Sequence, residues 1–149
     1  MITDYKLWLS GGVNRWHQQD NPVLRNSNDT NWAHTGRVAQ LVFAFGGSSE
    51  EILTALFHDI CEKKTGDKCD GSKDVNDYVA ENKVAADMGM YYPKTPLVHL
   101  CDKLDAYLWA RLHGSGLSDD WQMSLLKIDK MAFDLGLADQ VTQIVTDAG

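Results

Sequence analysis

The stretch NWAHTGRVAQLVFAFGGSSEEILTALFHD, from Asn31 to Asp59, decides the fold. In its first half His34, Val38, Leu41 and Phe45 recur at helical spacing and make one stripe, which predicts a helix over 31–45. Gly46-Gly47 ends that helix, because glycine takes the left-handed conformation that closes a helix C-terminus. Ser48 and Glu51 then stand at the spacing of a capping box. A second helix follows, with Leu53, Leu56, Phe57 and Ile60 expected inward, and it fades near Lys64. No alternating β-branched run, Asn-Gly hairpin signal or internal repeat occurs elsewhere, so the expected class is all-α.

The flanks extend the same pattern. Upstream, a short helix is expected from Thr3 to Ser10, stopped by Gly11-Gly12. Asn14 to Thr30 is polar and reads as a long irregular loop with an Asn21-Pro22 turn near its middle. Downstream, Thr65-Gly66-Asp67 is a turn, the chain stays polar to Asp74, and a less apolar helix covers Val75 to Met88. Thr95-Pro96 supplies an N-cap and an N1 proline for a helix from Leu97 to His113. Its stripe is Leu97, Leu100, Leu104 and Leu108. After a break at Gly114 to Gly116, Ser118 caps a helix to about Leu135, and a last one follows from Leu137. The expected architecture is a single domain over residues 1–149, a bundle of about six or seven helices around one core.

Composition narrows the function classes. Lys plus Arg is 14 against 21 Asp plus Glu, a formal net charge of −7, which argues against a general binder of nucleic-acid backbones. No apolar run approaches the ~18 residues of a membrane span. The opening MITDYKLWLSGG lacks a basic segment followed by an apolar one, so a cytoplasmic location is expected. Cys61, Cys69 and Cys101 are odd in number and without CxxC spacing, which fits neither a disulfide framework nor a zinc ribbon.

Four residues stand out as metal ligands: His34, the pair His58-Asp59, and Asp102. Each lies in or beside an apolar stretch, where an unpaired polar group is costly. Imidazole nitrogens and carboxylate oxygens together suit a divalent transition metal, and two carboxylates offset its charge. Zn, Co, Mn and Mg all remain open as the ion. The order is distinctive: a His, His-Asp 24 residues later, then an Asp 43 residues further on, across three predicted helices. His17, His99 and His113 are read as non-ligands.

That order resembles the H…HD…D signature of the all-helical HD-domain phosphohydrolase superfamily. Val13-Asn14-Arg15-Trp16 and Leu24-Arg25-Asn26 resemble the Arg-Trp opening and Arg-Asn turn of bacterial 5′-deoxynucleotidases. Leu56-Phe57-His58-Asp59-Ile60-Cys61-Glu62, followed by Thr65-Gly66-Asp67, resembles their HDxxE…TGD segment. Asp102-Lys103-Leu104-Asp105-Ala106-Tyr107-Leu108 resembles their last Asp-bearing helix. The likeness runs from about Val13 to Arg111. The chain is also similar to the small phage dATP triphosphohydrolases, which deplete dATP and so favour 2-aminoadenine in viral DNA.

The resemblance implies roles. His34, His58, Asp59 and Asp102 would hold the metal. Glu62, one turn after His58, would serve proton transfer or orient water. Arg15 would bind phosphoryl oxygens through its planar fork, Trp16 would wall off a 2′-hydroxyl, and Asp67 would accept from the sugar 3′-hydroxyl. Arg25, Arg37, Lys63, Lys64 and Lys68 are candidates for the outer phosphates of a triphosphate. The implied substrate is a small deoxynucleotide, with no nucleic-acid polymer and no membrane as partner. The leading reaction is dATP to deoxyadenosine and triphosphate. The alternatives are a 5′-deoxynucleotidase acting on deoxynucleoside monophosphates and a nucleotide-binding protein without turnover. Relatives assemble, so a homo-oligomer is implied, in the host cytoplasm for a phage protein. Trp8, Trp121 and Tyr91-Tyr92 are aromatics suited to an interface or to the core. The sequence departs from the bacterial pattern at Ala33, where an acid is usual, and at Lys68-Cys69-Asp70, where a proline-containing segment is expected. Little follows the Asp102 helix. These differences bear on substrate details more than on the metal.

Overall fold

The computed structural model describes residues 8–9, 11–16, 21–59, 76, 94–114 and 118–149. Among these residues every regular element is an α-helix: α1 Pro22–Arg25, α2 Asn31–Ala44, α3 Ser49–Phe57, α4 Pro96–Leu112, α5 Asp119–Asp134 and α6 Ala138–Ala148. The all-α class is therefore observed. Asn14 and Thr30 form an isolated antiparallel bridge. No helix among the described residues is long and apolar enough to cross a membrane. Of the expected helix over 75–88 only Asn76 is described, and it is helical; the turn at 65–67 lies outside the described residues. So does the first helix, apart from helical Trp8 and Leu9.

Local chemistry sets the boundaries. At the end of α2 the Gly46 N–H donates to the Phe43 carbonyl at 3.0 Å and the Gly47 N–H to the Val42 carbonyl at 2.8 Å. This is a Schellman closure, with Gly46 at φ +80°. A Cβ on Gly47 would stand 2.4 Å from Val42 Cγ1, so glycine is required there for space as well. The capping box forms as expected: the Ser48 N–H donates to Glu51 Oε1 at 3.2 Å, and the Glu51 N–H to Ser48 Oγ at 3.1 Å. Thr95 caps α4 by accepting from the Val98 N–H, with Pro96 as its first residue. Ser118 occupies the N-cap of α5 without a side-chain hydrogen bond. The expected loop over 14–30 contains one turn of helix, α1, because Asn21 accepts from the Val23 and Leu24 N–H groups and Pro22 pre-sets the first φ.

The chain divides into two units, Met1–Thr35 with Phe57–Pro93, and Gly36–Leu56 with Lys94–Gly149. The second unit holds two apolar clusters. In one, Val38, Ala39, Val42, Ala55, Val98 and Cys101 join α2, α3 and α4. In the other, Leu100, Leu104 and Tyr107 of α4 pack on Ile128 and Ala132 of α5 and Val141 of α6. Burial pushes the Cys101 thiol up to about 12, with the Glu51 and Asp102 carboxylates adding to the effect. The stripes of α2 and α4 face inward as expected, but the face of α3 does not. Leu53 and Leu56 are 47% and 38% exposed, whereas Ala55 is fully buried and Ile52 packs beside it. The close approach of α3 to its neighbours selects the small Ala55 over the larger leucines.

Candidate metal centre

The candidate centre belongs to the first unit and is built by two short stretches that flank a helix start and a helix end. Thr30 begins α2: its Oγ1 accepts from the Ala33 N–H at 3.3 Å and its carbonyl from the His34 N–H at 2.9 Å. His34 thus sits in the first turn of α2, fully buried. His58 and Asp59 follow directly on Phe57, the last residue of α3, in a turn.

The three side chains converge. His34 Nε2 and His58 Nε2 are 3.3 Å apart. Asp59 Oδ2 is 3.2 Å from each of them. The triangle is nearly equilateral, and its members could hold a metal ion. Two imidazole nitrogens and a carboxylate oxygen are a donor set suited to a divalent transition metal. The chemistry of the set favours a cation: three lone pairs aimed at one point repel unless a proton or a metal stands among them. Burial disfavours an ionised Asp59, but the His58 charge and hydrogen bonds from both imidazoles outweigh it and hold the carboxyl well below its usual range.

Arg15 stands against this group. Its Nη1 is 3.6 Å from Asp59 Oδ2 and its Nε 3.2 Å from Asp29 Oδ2. The chain at 13–16 is zipped onto 29–31: the Arg15 N–H donates to the Asp29 carbonyl at 2.9 Å and the Asn31 N–H to the Val13 carbonyl at 3.0 Å. Trp16 is buried, and its indole N–H donates to Asp29 Oδ2 at 3.1 Å. Its φ is +66°, a region that costs a bulky residue about 1–3 kcal/mol and that clusters at functional sites.

The structure therefore brings together His34, His58, Asp59, Arg15 and Trp16. Asp102, expected as a fourth ligand, lies on α4 in the second unit, where its Oδ2 accepts from Lys94 Nζ at 2.7 Å; it is not a member of the three-donor group. Glu62 and Asp67, with Lys63, Lys64 and Lys68, lie outside the described residues. Arg25 is exposed at the end of α1. Arg37 is held in the second unit by Asp105 at 2.7 and 3.0 Å and stacks 4.2 Å over the Trp109 ring. Of the histidines read as non-ligands, His17 lies outside the described residues, His99 is exposed, and His113 caps α4 and packs on Trp109.

Sequence reasoning missed Asp29, the buried carboxylate behind Arg15 and Trp16. Asn28-Asp29-Thr30 offers three capping residue types in a row, and a helix start uses one. Since Thr30 is the cap, the residue before it is free for another partner; that redundancy was the available signal.

No protein-family model matches the chain, and no curated protein or solved structure matches it at a significant level.

Proposed function

We propose that the chain is a metal-dependent phosphohydrolase of the HD type acting on deoxynucleotides, with dATP hydrolysed to deoxyadenosine and triphosphate as its leading reaction. The observation that carries this reading is the triangle of His34 Nε2, His58 Nε2 and Asp59 Oδ2 with a guanidinium 3.6 Å from the shared carboxylate oxygen. Cation-holding donors beside a planar, permanently charged fork are what a phosphoryl group needs. A divalent ion held there would lower the pKa of a water and polarise a phosphoryl oxygen.

The chain's own residues supply the rest. Arg15 binds the phosphoryl oxygens and stabilises the charge that grows on them during attack at the α-phosphorus. Its burial keeps competing water away and strengthens that contact. Trp16, backed by Asp29, is a rigid wall next to Arg15. Glu62 takes the proton of the attacking water, and Asp67 receives the sugar 3′-hydroxyl, roles that rest on the family resemblance alone. The water oxygen ends on the triphosphate, and the 5′ oxygen leaves with a proton as the deoxynucleoside hydroxyl.

A product assay tests the reading. Metal-stripped protein is supplied with Mg, Mn, Co or Zn and given dATP, dGTP, dAMP or ATP separately. Deoxyadenosine and triphosphate from dATP, with dAMP left intact, is the expected result. Phosphate from dAMP with dATP untouched would move the substrate to the monophosphates. Tight nucleotide binding without turnover under any metal would overturn the enzyme reading.

A further inference from the structure

We propose that Asp29 is a positioning residue of this centre, aiming the Arg15 guanidinium at a phosphoryl group and locking Trp16 beside it. The inference rests on reading the centre as a site for phosphorylated ligands. Asp29 is 1% exposed and engages the Arg15-Trp16 pair three times. Its carbonyl takes the Arg15 main-chain N–H, its Oδ2 accepts the Trp16 indole N–H, and the same oxygen lies 3.2 Å from Arg15 Nε as an ion pair that lacks hydrogen-bond geometry. One residue thereby holds the backbone at position 15 and two consecutive side chains.

The arrangement divides the guanidinium by edge. The Nε side is occupied by Asp29, while Nη1 is turned toward Asp59 Oδ2. Nη1 is therefore the part of the fork that faces the metal donors. Charge gives a second reason for Asp29. A guanidinium beside a divalent ion is repelled by it, and a buried carboxylate on its far edge offsets that repulsion. Trp16 adds rigidity, since its left-handed backbone needs an anchor and the indole bond to Asp29 is one. The Arg15 Cζ lies 5.2 Å from the Trp16 ring centroid, a cation–π contact that adds to the packing of the two side chains.

Full-length protein and the variants Asp29→Asn, Asp29→Ser, Arg15→Ala and Arg15→Ala with Asp29→Asn separate positioning from scaffolding. Asp29→Ser keeps an acceptor without the charge and serves if the asparagine variant fails to fold. Each is loaded with Co(II), whose visible spectrum reports the metal donors, then titrated with tripolyphosphate by calorimetry and assayed with dATP. Asp29 variants should keep the Co(II) spectrum yet bind tripolyphosphate about 10- to 100-fold more weakly, as when a charge-assisted contact is lost. The double variant should be no worse than Arg15→Ala, because the two residues act through one contact. Wild-type affinity in the Asp29 variants, losses that multiply in the double variant, or no tripolyphosphate binding by the wild type would each overturn the inference. If the wild type binds tripolyphosphate but leaves dATP intact, the hydrolase reading fails while the role of Asp29 is still decided by the titrations.

Discussion

Asp59 is the residue on which the candidate centre turns, because one oxygen of it meets both imidazoles and the Arg15 guanidinium. Removing any donor should remove the ion: His34→Ala, His58→Ala or Asp59→Asn should each weaken Co(II) or Zn(II) binding by more than the roughly 10–100-fold lost with a residue that only supports a ligand. Metal titration of the purified variants checks this, with circular dichroism to confirm folding. The sign of the pH effect follows from the donors. Asp59 is held well below the usual carboxylate range, so it stays ionised as the pH falls. The imidazoles must give up a proton to bind, so affinity should fall with acidification across the range where imidazoles protonate, about pH 8 to 5. An affinity that held constant to pH 5 would exclude the histidines as ligands. His34 and the His58-Asp59 pair were legible in the sequence as polar residues in apolar surroundings. Asp29 was not, since a polar loop residue before a helix reads as a cap until the geometry shows that Thr30 has that task.

At the scale of elements, the α2–α3 corner is built from local hydrogen bonds. Its Schellman closure and capping box use short-range chemistry, which is why Gly46-Gly47 and Ser48…Glu51 could be read directly. Ser48→Ala should cost about 1 kcal/mol of stability, measured by urea unfolding. Glu51 adds a pH signature. The Thr95 hydroxyl donates to it at 2.5 Å, and with the Ser48 bonds this lowers its pKa below the ordinary value. A carboxyl lowered on folding contributes stability that is present above the unfolded value, about 4.3, and is lost as the pH falls further. Glu51→Gln should therefore flatten the stability profile below about pH 4.3 relative to wild type. The inward face of α3 was not legible, because hydrophobicity ranks Leu53 and Leu56 above Ala55, whereas helix proximity rewards the smaller residue.

At the scale of the whole molecule, pairs distant in sequence hold elements together. Within the second unit Arg37 of α2 grips Asp105 of α4 with two hydrogen bonds, 68 residues apart, and lays its plane over Trp109. Asp105 is 3% exposed, so removing Arg37 takes a cation and two hydrogen bonds from a buried carboxylate. Arg37→Ala should destabilise the protein by about 3–5 kcal/mol, read as a shift of the urea midpoint. A change below about 1 kcal/mol would show the pair to be solvated in solution. The same unit carries a cavity of about 420 Å³ bordered by Leu41, Leu108 and Trp109.

The sequence by itself determined the helical class, the ends of the central helices and the presence of a His…His-Asp set, because periodicity, caps and residue chemistry act over a few neighbours. The tertiary structure alone decided which of the polar residues meet. It closed His34, His58 and Asp59 into a triangle, placed Arg15 and Trp16 against it through the buried Asp29, and gave Arg37 to Asp105. Such pairings join residues far apart in the chain, and their distances follow from packing rather than from any local pattern.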